Sequence, residues 1–405
     1  MNGMKILFGS DLSRYERKKR RARLWGLAAV ISLVAAWLVG LNLAQADLMP
    51  AVREAMPQAE RFEKQTSDVY EAYGGDELVG YVALGEASGY GGPLTVAVGV
   101  DPSGTVTKVV LADHRETPAW IDKVQEDDYF ETLQGKPYSD SFQVGEDLDG
   151  VTGATMSSRG LAQAALNGSR KAAQVMGLPV ETPPTPRVKF GIPEISLLAL
   201  FGIGYIAQQR KFKYTKTARW VSLLGGLIIL GFIYNSPLTL AYINKFLIGF
   251  WPQWQTHLYW YLLIGGIIFV YTIEDQNPYC QWFCPFGAAQ EVMGAIGGAK
   301  VYSPRQFRTF LEWLQRGLAW AAIMLALLLR NPGLSSFEIF GTLFSLTGSG
   351  FQFILLGLVL VASMFIKRPW CTYLCPLDPV VDFIKLTKDW INDLWQTKIK
   401  ASEGK

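Results

Sequence analysis

The sequence predicts an α+β domain held outside a membrane by an α-helical protein of about six transmembrane helices with an internal parallel repeat. Three observations predict it. Residues 24–46 carry no charge and follow a segment, 1–23, with eight Lys or Arg. Between Asp47 and about Lys189 the composition turns soluble, with short alternating stretches separated by Gly- and Pro-rich turns. Beyond it lie five more apolar segments, and a nine-residue cysteine pattern occurs twice. Half of the 405 residues are hydrophobic and only 18% are charged, which argues against a chain that is soluble throughout. The net charge of +3 carries little information, whereas the positions of Lys and Arg carry a great deal; no nucleic-acid partner is expected.

Taken in order, residues 1–23 form a basic tail and 24–46 an anchor long enough to cross a hydrocarbon core of roughly 30 Å. A cleaved signal peptide is the competing reading, since Ala44-Gln45-Ala46 resembles a cleavage site. The length of the apolar run and the basic flank favour an uncleaved anchor. Residues 47–177 form the soluble domain: a helix over Met49–Gln65, strands over Leu78–Glu86, Leu94–Asp101 and Val106–Asp113, a short helix around Ile121–Phe130 and an Ala-rich amphipathic helix over Leu161–Ala173. A Pro-rich linker, 178–189, leads to a five-helix membrane domain, 190–384, and a tail, 385–405. Its spans are about Phe190–Ala207, Trp220–Tyr234, Leu258–Ile273, Leu311–Leu329 and Phe351–Ile366.

Basic residues orient these spans. Loop 210–219 holds five, loop 300–316 four and the tail after 366 seven, whereas loops 235–257 and 330–349 hold one each. The positive-inside rule therefore puts both termini and the basic loops in the cytoplasm and the soluble domain outside, in a bacterium the periplasm or outer face.

Within the membrane half, Pro278-Tyr-Cys280-Gln-Trp-Phe-Cys284-Pro-Phe286 matches Pro369-Trp-Cys371-Thr-Tyr-Leu-Cys375-Pro-Leu377. Both copies follow a helix, an outer loop and a second helix in the same direction, a parallel repeat that carries all four cysteines to the cytoplasmic face. Cytoplasmic disulfides are disfavoured. Two closely spaced thiolate pairs satisfy one four-coordinate iron–sulfur centre, with another metal, a redox-active dithiol or inert cysteines as alternatives.

The soluble domain closes on Asp149-Gly-Val-Thr152-Gly153-Ala154-Thr155-Met-Ser-Ser158, just before the Ala-rich helix. A Thr at a helix start, preceded by small residues, offers a phosphate free N–H groups and the positive end of the dipole. An ordinary capped helix is the plainer reading. Together with Gly89-Tyr90-Gly91-Gly92-Pro93 and His114-Arg115-Glu116-Thr117-Pro118, this segment resembles the FMN-binding domain of the periplasmic subunits of Rnf and of the Na⁺-translocating NADH:quinone reductase. The resemblance implies FMN joined through a phosphoester to Thr155 by a flavin transferase, with Thr152, Gly153, Ala154, Ser158, Tyr90, Gly91, Gly92, Glu116 and Thr117 at the flavin. His114 either contacts the flavin or packs.

The membrane half is similar to NosR, NapH and PceC-type proteins. That implies that Cys280, Cys284, Cys371 and Cys375 hold an iron–sulfur cluster of the 4Fe-4S kind. With no cysteine after Cys375 for an additional ferredoxin-type domain, the chain is closest to the shorter PceC-like arrangement. The expected function is membrane electron transfer between a quinone or cytoplasmic donor and an extracytoplasmic redox partner. A redox sensor supporting expression or maturation of a respiratory reductase is the alternative, and a subunit of an ion-translocating complex a third; the spans carry no central acid to favour the last. His257, Trp251 to Trp254 and Tyr259 to Tyr261 are interfacial residues or a quinone pocket. With the flavin outside and the cysteines inside, roughly 30 Å of hydrocarbon would separate them, so a bridging carrier, quinone first, is expected unless the cysteine centre is drawn into the membrane.

Overall fold

The computed structural model describes residues 14–43, 47–89, 91–116, 118–152, 154–180, 188–208, 213–274, 277–301, 307–335 and 337–403. Ala44-Gln45-Ala46, Tyr90, Thr117, Gly153 and most of the Pro-rich linker lie outside these residues.

Helix α1 (Arg14–Leu43) contains the uncharged run and turns Trp25, Ile31, Val34 and Leu43 outward, as a lipid-facing surface requires. The expected helix over Met49–Gln65 is shorter: α2 (Met49–Ala55) ends one residue before Met56, because Pro57 disfavours helical backbone at the residue it follows. The chain instead enters an antiparallel sheet of β1 (Arg61–Lys64), β2 (Val69–Gly74), β3 (Glu77–Ser88), β4 (Pro93–Val100) and β5 (Val106–His114), paired in sequence order. The sequence pattern does not announce the first two strands. β1 is a polar, largely exposed edge strand, and β2, which buries only Val69 and Ala72, lacks a strict apolar alternation.

Strand β4 is buried along nearly its whole length because both faces of the sheet are covered. On one face α2 packs Val52, Ala55 and Met56 against Ala72, Val82 and Ala97. On the other lie α3 (Pro118–Glu126) and α4 (Thr155–Val175), whose Leu161, Ala164 and Ala165 join Val96, Val98 and Leu94. Gly85 lets α4 come this close: a Cβ there would lie 1.9 Å from the Ala164 carbonyl oxygen.

A mostly helical body follows. Helices α5 (Ile192–Gln208) and α6 (Thr215–Gly225) come first, the latter continuing as a π-helical stretch, Gly226–Ile233. Helix α7 (Leu240–Ile248) fills the first loop expected to face outward, and α8 (Leu258–Glu274) follows it. A π-turn at Tyr279–Phe283 and α9 (Pro285–Gly297) end the first repeat copy. The second comprises α10 (Arg308–Leu329), α11 (Phe340–Phe344), α12 (Gly350–Phe365), α13 (Pro369–Tyr373) and α14 (Leu377–Glu403). Among the described residues three helical segments are long and apolar enough to cross a membrane: Lys19–Leu43, Thr215–Ile233 and Thr309–Leu329. Ile192–Gln208, Leu258–Ile273 and Gly350–Phe365 are apolar but shorter. Helix α1 lies on α10, where Trp25 meets Trp313 edge-on at 5.8 Å and Trp320 Nε1 donates to Ser32 Oγ at 3.1 Å.

Candidate functional site

Two constellations emerge, one at the start of α4 and one around the cysteines. The loop before α4 is tied to its own helix. Ser158 Oγ accepts from the Val151 amide at 3.2 Å and donates to the Ala154 carbonyl at 3.1 Å, while Tyr129 donates to the Ser158 carbonyl at 2.9 Å. Ser158 is therefore engaged in shaping the loop. Thr155 and Thr152 are exposed, and the residue preceding the helix supplies no side-chain cap. The first turn contains no acidic residue of its own, and its N–H groups and dipole favour an anion.

Against this helix start lies Glu116, fully buried at the end of β5's continuation. Its Oε1 accepts the Gly91 amide at 3.1 Å and its Oε2 accepts Ser157 Oγ at 3.0 Å. One carboxylate thus joins the three separate segments read from the sequence. The glycines are needed for this closeness. A Cβ on Gly89 would lie 1.9 Å from Glu116 Oε1, and one on Gly91 would lie 2.3 Å from the Arg115 carbonyl oxygen. Glycine cradle, buried carboxylate and uncapped helix start fit a phosphate-bearing planar ligand. Gly92, Ala154 and Arg115 border the site; Tyr90, Thr117 and Gly153 fall outside the described residues. His114 is half-buried, and burial pushes its imidazole below the usual range.

The cysteine segments share a backbone device. The amide of Cys284 bonds the Tyr279 carbonyl at 2.8 Å, and that of Cys375 bonds the Trp370 carbonyl at 2.9 Å, each reaching five residues back. Each second cysteine is followed by a proline: Pro285 opens α9, and Pro376 stands immediately before α14. Cys284 and Cys375 are buried in one apolar core with Tyr279, Phe286, Phe340 and Trp370. All four cysteines are free thiols within electrostatic reach of one another. Among the described residues no three metal-binding side chains converge as tightly as a single ion requires. Four thiolates in two closely spaced pairs are the donor set that a 4Fe-4S cluster takes.

Polar groups around the sulfurs tie the two copies together. Gln290 Nε2 on α9 lies 3.1 Å from Cys371 Sγ, and Asn277 Nδ2 lies 3.1 Å from Cys280 Sγ. Arg368 Nη1 donates to the Cys280 carbonyl at 2.7 Å, while its Nε pairs with Glu291 at 2.8 Å. Glu291 is also held by Arg219 at 2.9 and 2.5 Å, so a buried acid fixes a cation beside the thiolates. Gln315 Nε2 donates to the Cys375 carbonyl at 2.8 Å. Sequence reasoning missed these residues, whose only local signal is a charge or amide within an apolar run.

The loops expected to face outward turn back toward the cysteines. The Leu238 amide donates to Tyr279 Oη at 2.8 Å, and both oxygens of buried Glu338 accept the Leu240 amide at the start of α7, at 3.0 and 2.9 Å. Glu338 lies within electrostatic reach of Cys375. At the rise of an α-helix, about 8 Å along α7 then separates Leu240 from Lys245, whose Nζ donates to the Gly89 carbonyl of the glycine cradle at 3.1 Å.

Comparison with known proteins agrees with both halves. Residues 89–168 match the FMN-binding domain family, and residues 256–304 and 350–398 match the 4Fe-4S binding domain family. The chain is 30% identical over 200 residues to Protein NirI of Paracoccus denitrificans, covering 45% of this chain and 28% of that protein. It is 29% identical over 116 residues to one component of the proton-translocating ferredoxin:NAD(+) oxidoreductase complex of Clostridium ljungdahlii, covering 27% of this chain and 62% of that one. A putative electron transport protein YccM of Escherichia coli is 26% identical over 138 residues, covering 31% of this chain and 38% of that one. Each match spans less than two thirds of the relative's length. FMN and a 4Fe-4S cluster are accordingly the cofactors of the two domains.

Proposed function

On the premise of a NosR-like membrane flavoprotein, an FMN-binding domain joined to a 4Fe-4S binding domain, we propose that the chain carries electrons between a quinone or cytoplasmic donor and an extracytoplasmic acceptor. FMN exchanges one or two electrons and the cluster exchanges one, so the redox chemistry belongs to the cofactors. The chain's part is to hold and tune them. Thr155 bears the FMN phosphate as an ester installed by a flavin transferase, with its phosphoryl group over the α4 N-terminus. Thr152, Ala154, Gly91, Gly92 and Glu116 surround the flavin, and Ser158 holds the loop. Cys280, Cys284, Cys371 and Cys375 ligate one shared 4Fe-4S cluster, oriented by Gln290, Asn277 and the Arg368–Glu291–Arg219 chain.

The protein spans the membrane six times as a parallel repeat, with its termini in the cytoplasm and the flavin domain outside. The observation that carries the electron-transfer reading is the link from Glu338, within electrostatic reach of Cys375, along α7 to the glycine cradle. It supports a cysteine centre drawn toward the flavin and lessens the need for a bridging quinone. Anaerobic purification with flavin, iron and sulfide counted per chain, and paramagnetic resonance of the reduced protein, tests the reading. One flavin and one four-iron signal per chain are expected; a flavin-free or iron-free protein from a host that supplies both sinks it.

A further inference from the structure

In the sequence Lys245 is only the single basic residue of an outer loop. In the structure it is 3% exposed, a rare state for a lysine unless a partner holds its charge. It stands on α7 of the membrane half, within electrostatic reach of His257. Its Nζ donates to the Gly89 carbonyl at 3.1 Å, and it interacts electrostatically with Glu116, the carboxylate that joins Gly91 and Ser157. The contact continues beside it. Phe250 approaches Gly92, where a Cβ would lie 3.3 Å from its ring, and the Arg330 guanidinium sits over that ring at 5.2 Å. The lone basic residues of both outer loops, Lys245 and Arg330, thus lie at the seam with the flavin domain.

We propose that Lys245 is a flavin-site residue supplied by the membrane half, which docks the FMN-binding domain through Gly89 and Glu116 and raises the flavin's reduction potential. This rests on the flavin reading of that site. Two electrons from dithionite and one proton from solvent leave one net negative charge in the pocket. A buried cation beside it favours that reduced state, because charges interact more strongly away from water. Burial lowers the Lys245 ammonium to about 8, while Glu116 acts to retain its proton. The group is mainly cationic at neutral pH.

The test is a dithionite titration of the full-length, flavin-loaded protein at pH 7, comparing wild type with Lys245→Met and Lys245→Arg. Lys245→Met should disfavour reduction about tenfold, a fall of about 30 mV for a two-electron couple, and Lys245→Arg should restore most of it. Should Lys245→Met not accumulate, Lys245→Gln supplies a neutral side chain that can still donate to Gly89. Amine-directed labelling of the wild type gives a second readout, in which Lys245 stays protected while half-exposed Lys108 reacts. A flavin-loaded neutral variant with unchanged potential, or a Lys245 labelled as readily as Lys108, overturns this inference alone. A wild-type chain with no flavin overturns the underlying reading and this inference with it.

Discussion

Gln290 bridges the two cysteine segments: its Nε2 lies 3.1 Å from Cys371 Sγ, and its Oε1 accepts the Trp370 amide at 2.9 Å. Hydrogen bonds to cluster sulfurs raise the reduction potential because reduction adds negative charge at the acceptor. Gln290→Leu should therefore retain iron but favour the oxidised cluster about tenfold, a fall of about 59 mV for one electron. A redox titration followed by paramagnetic resonance measures it, and an unshifted potential would place Gln290 outside the cluster's environment.

Thr155→Val should abolish flavin fluorescence of the denatured chain in a gel, after co-expression with a flavin transferase, without changing expression. Thr155 is exposed at the first position of α4, so losing its hydroxyl breaks no packing. Fluorescence that persists in the variant rules out this attachment point.

Glu116→Ala should both destabilise the flavin domain and reduce flavin incorporation. The Gly91 amide and Ser157 hydroxyl would lose a buried acceptor, at about 1–3 kcal/mol for each group left unsatisfied. Thermal unfolding followed by flavin fluorescence should show a clear fall in midpoint. A variant that melts like wild type would mean that other groups or water replace the carboxylate.

Replacing any one of Cys280, Cys284, Cys371 and Cys375 by Ser should bleach the same absorption feature and lose most of the iron, since each copy supplies half of a four-thiolate set. If Cys280→Ser and Cys371→Ser each removed a separate half of the iron, two sites would replace one.

The loop leading to Thr155 should loosen in acid. Burial acts to raise the Asp147 carboxyl, but amide hydrogen bonds from Gln143 and Phe142, with Ser141 and Lys136 nearby, hold it below its usual range. A depressed folded value means the stabilisation is complete above the unfolded value, near pH 4, and is lost as pH falls through the folded one. Hydrogen exchange of residues 141–148 should thus show protection that is flat from about pH 5 to 8 and falls below about pH 4. In Asp147→Asn that step should disappear; an identical acid profile in both proteins would assign the effect elsewhere.

The sequence by itself determined the features that neighbouring residues encode. Unbroken apolar runs placed the helices of the membrane half, strict alternation placed β3 to β5, and the duplicated cysteine pattern and the Thr155 segment marked the two cofactor domains. These signals survive folding because helix and strand periodicity depend on adjacent residues. Tertiary structure decided the rest. It recruited Val69–Gly74 against β3 and Arg61–Lys64 against β2 as the edge strand, a pairing that their own pattern does not announce. It also placed Gln290 on Cys371, 81 residues away, and Lys245 on Gly89, 156 residues away. A buried amide or ammonium is stable only where a distant partner meets it. Which partner that is depends on how the loops turn inward, and no local period in the chain records that.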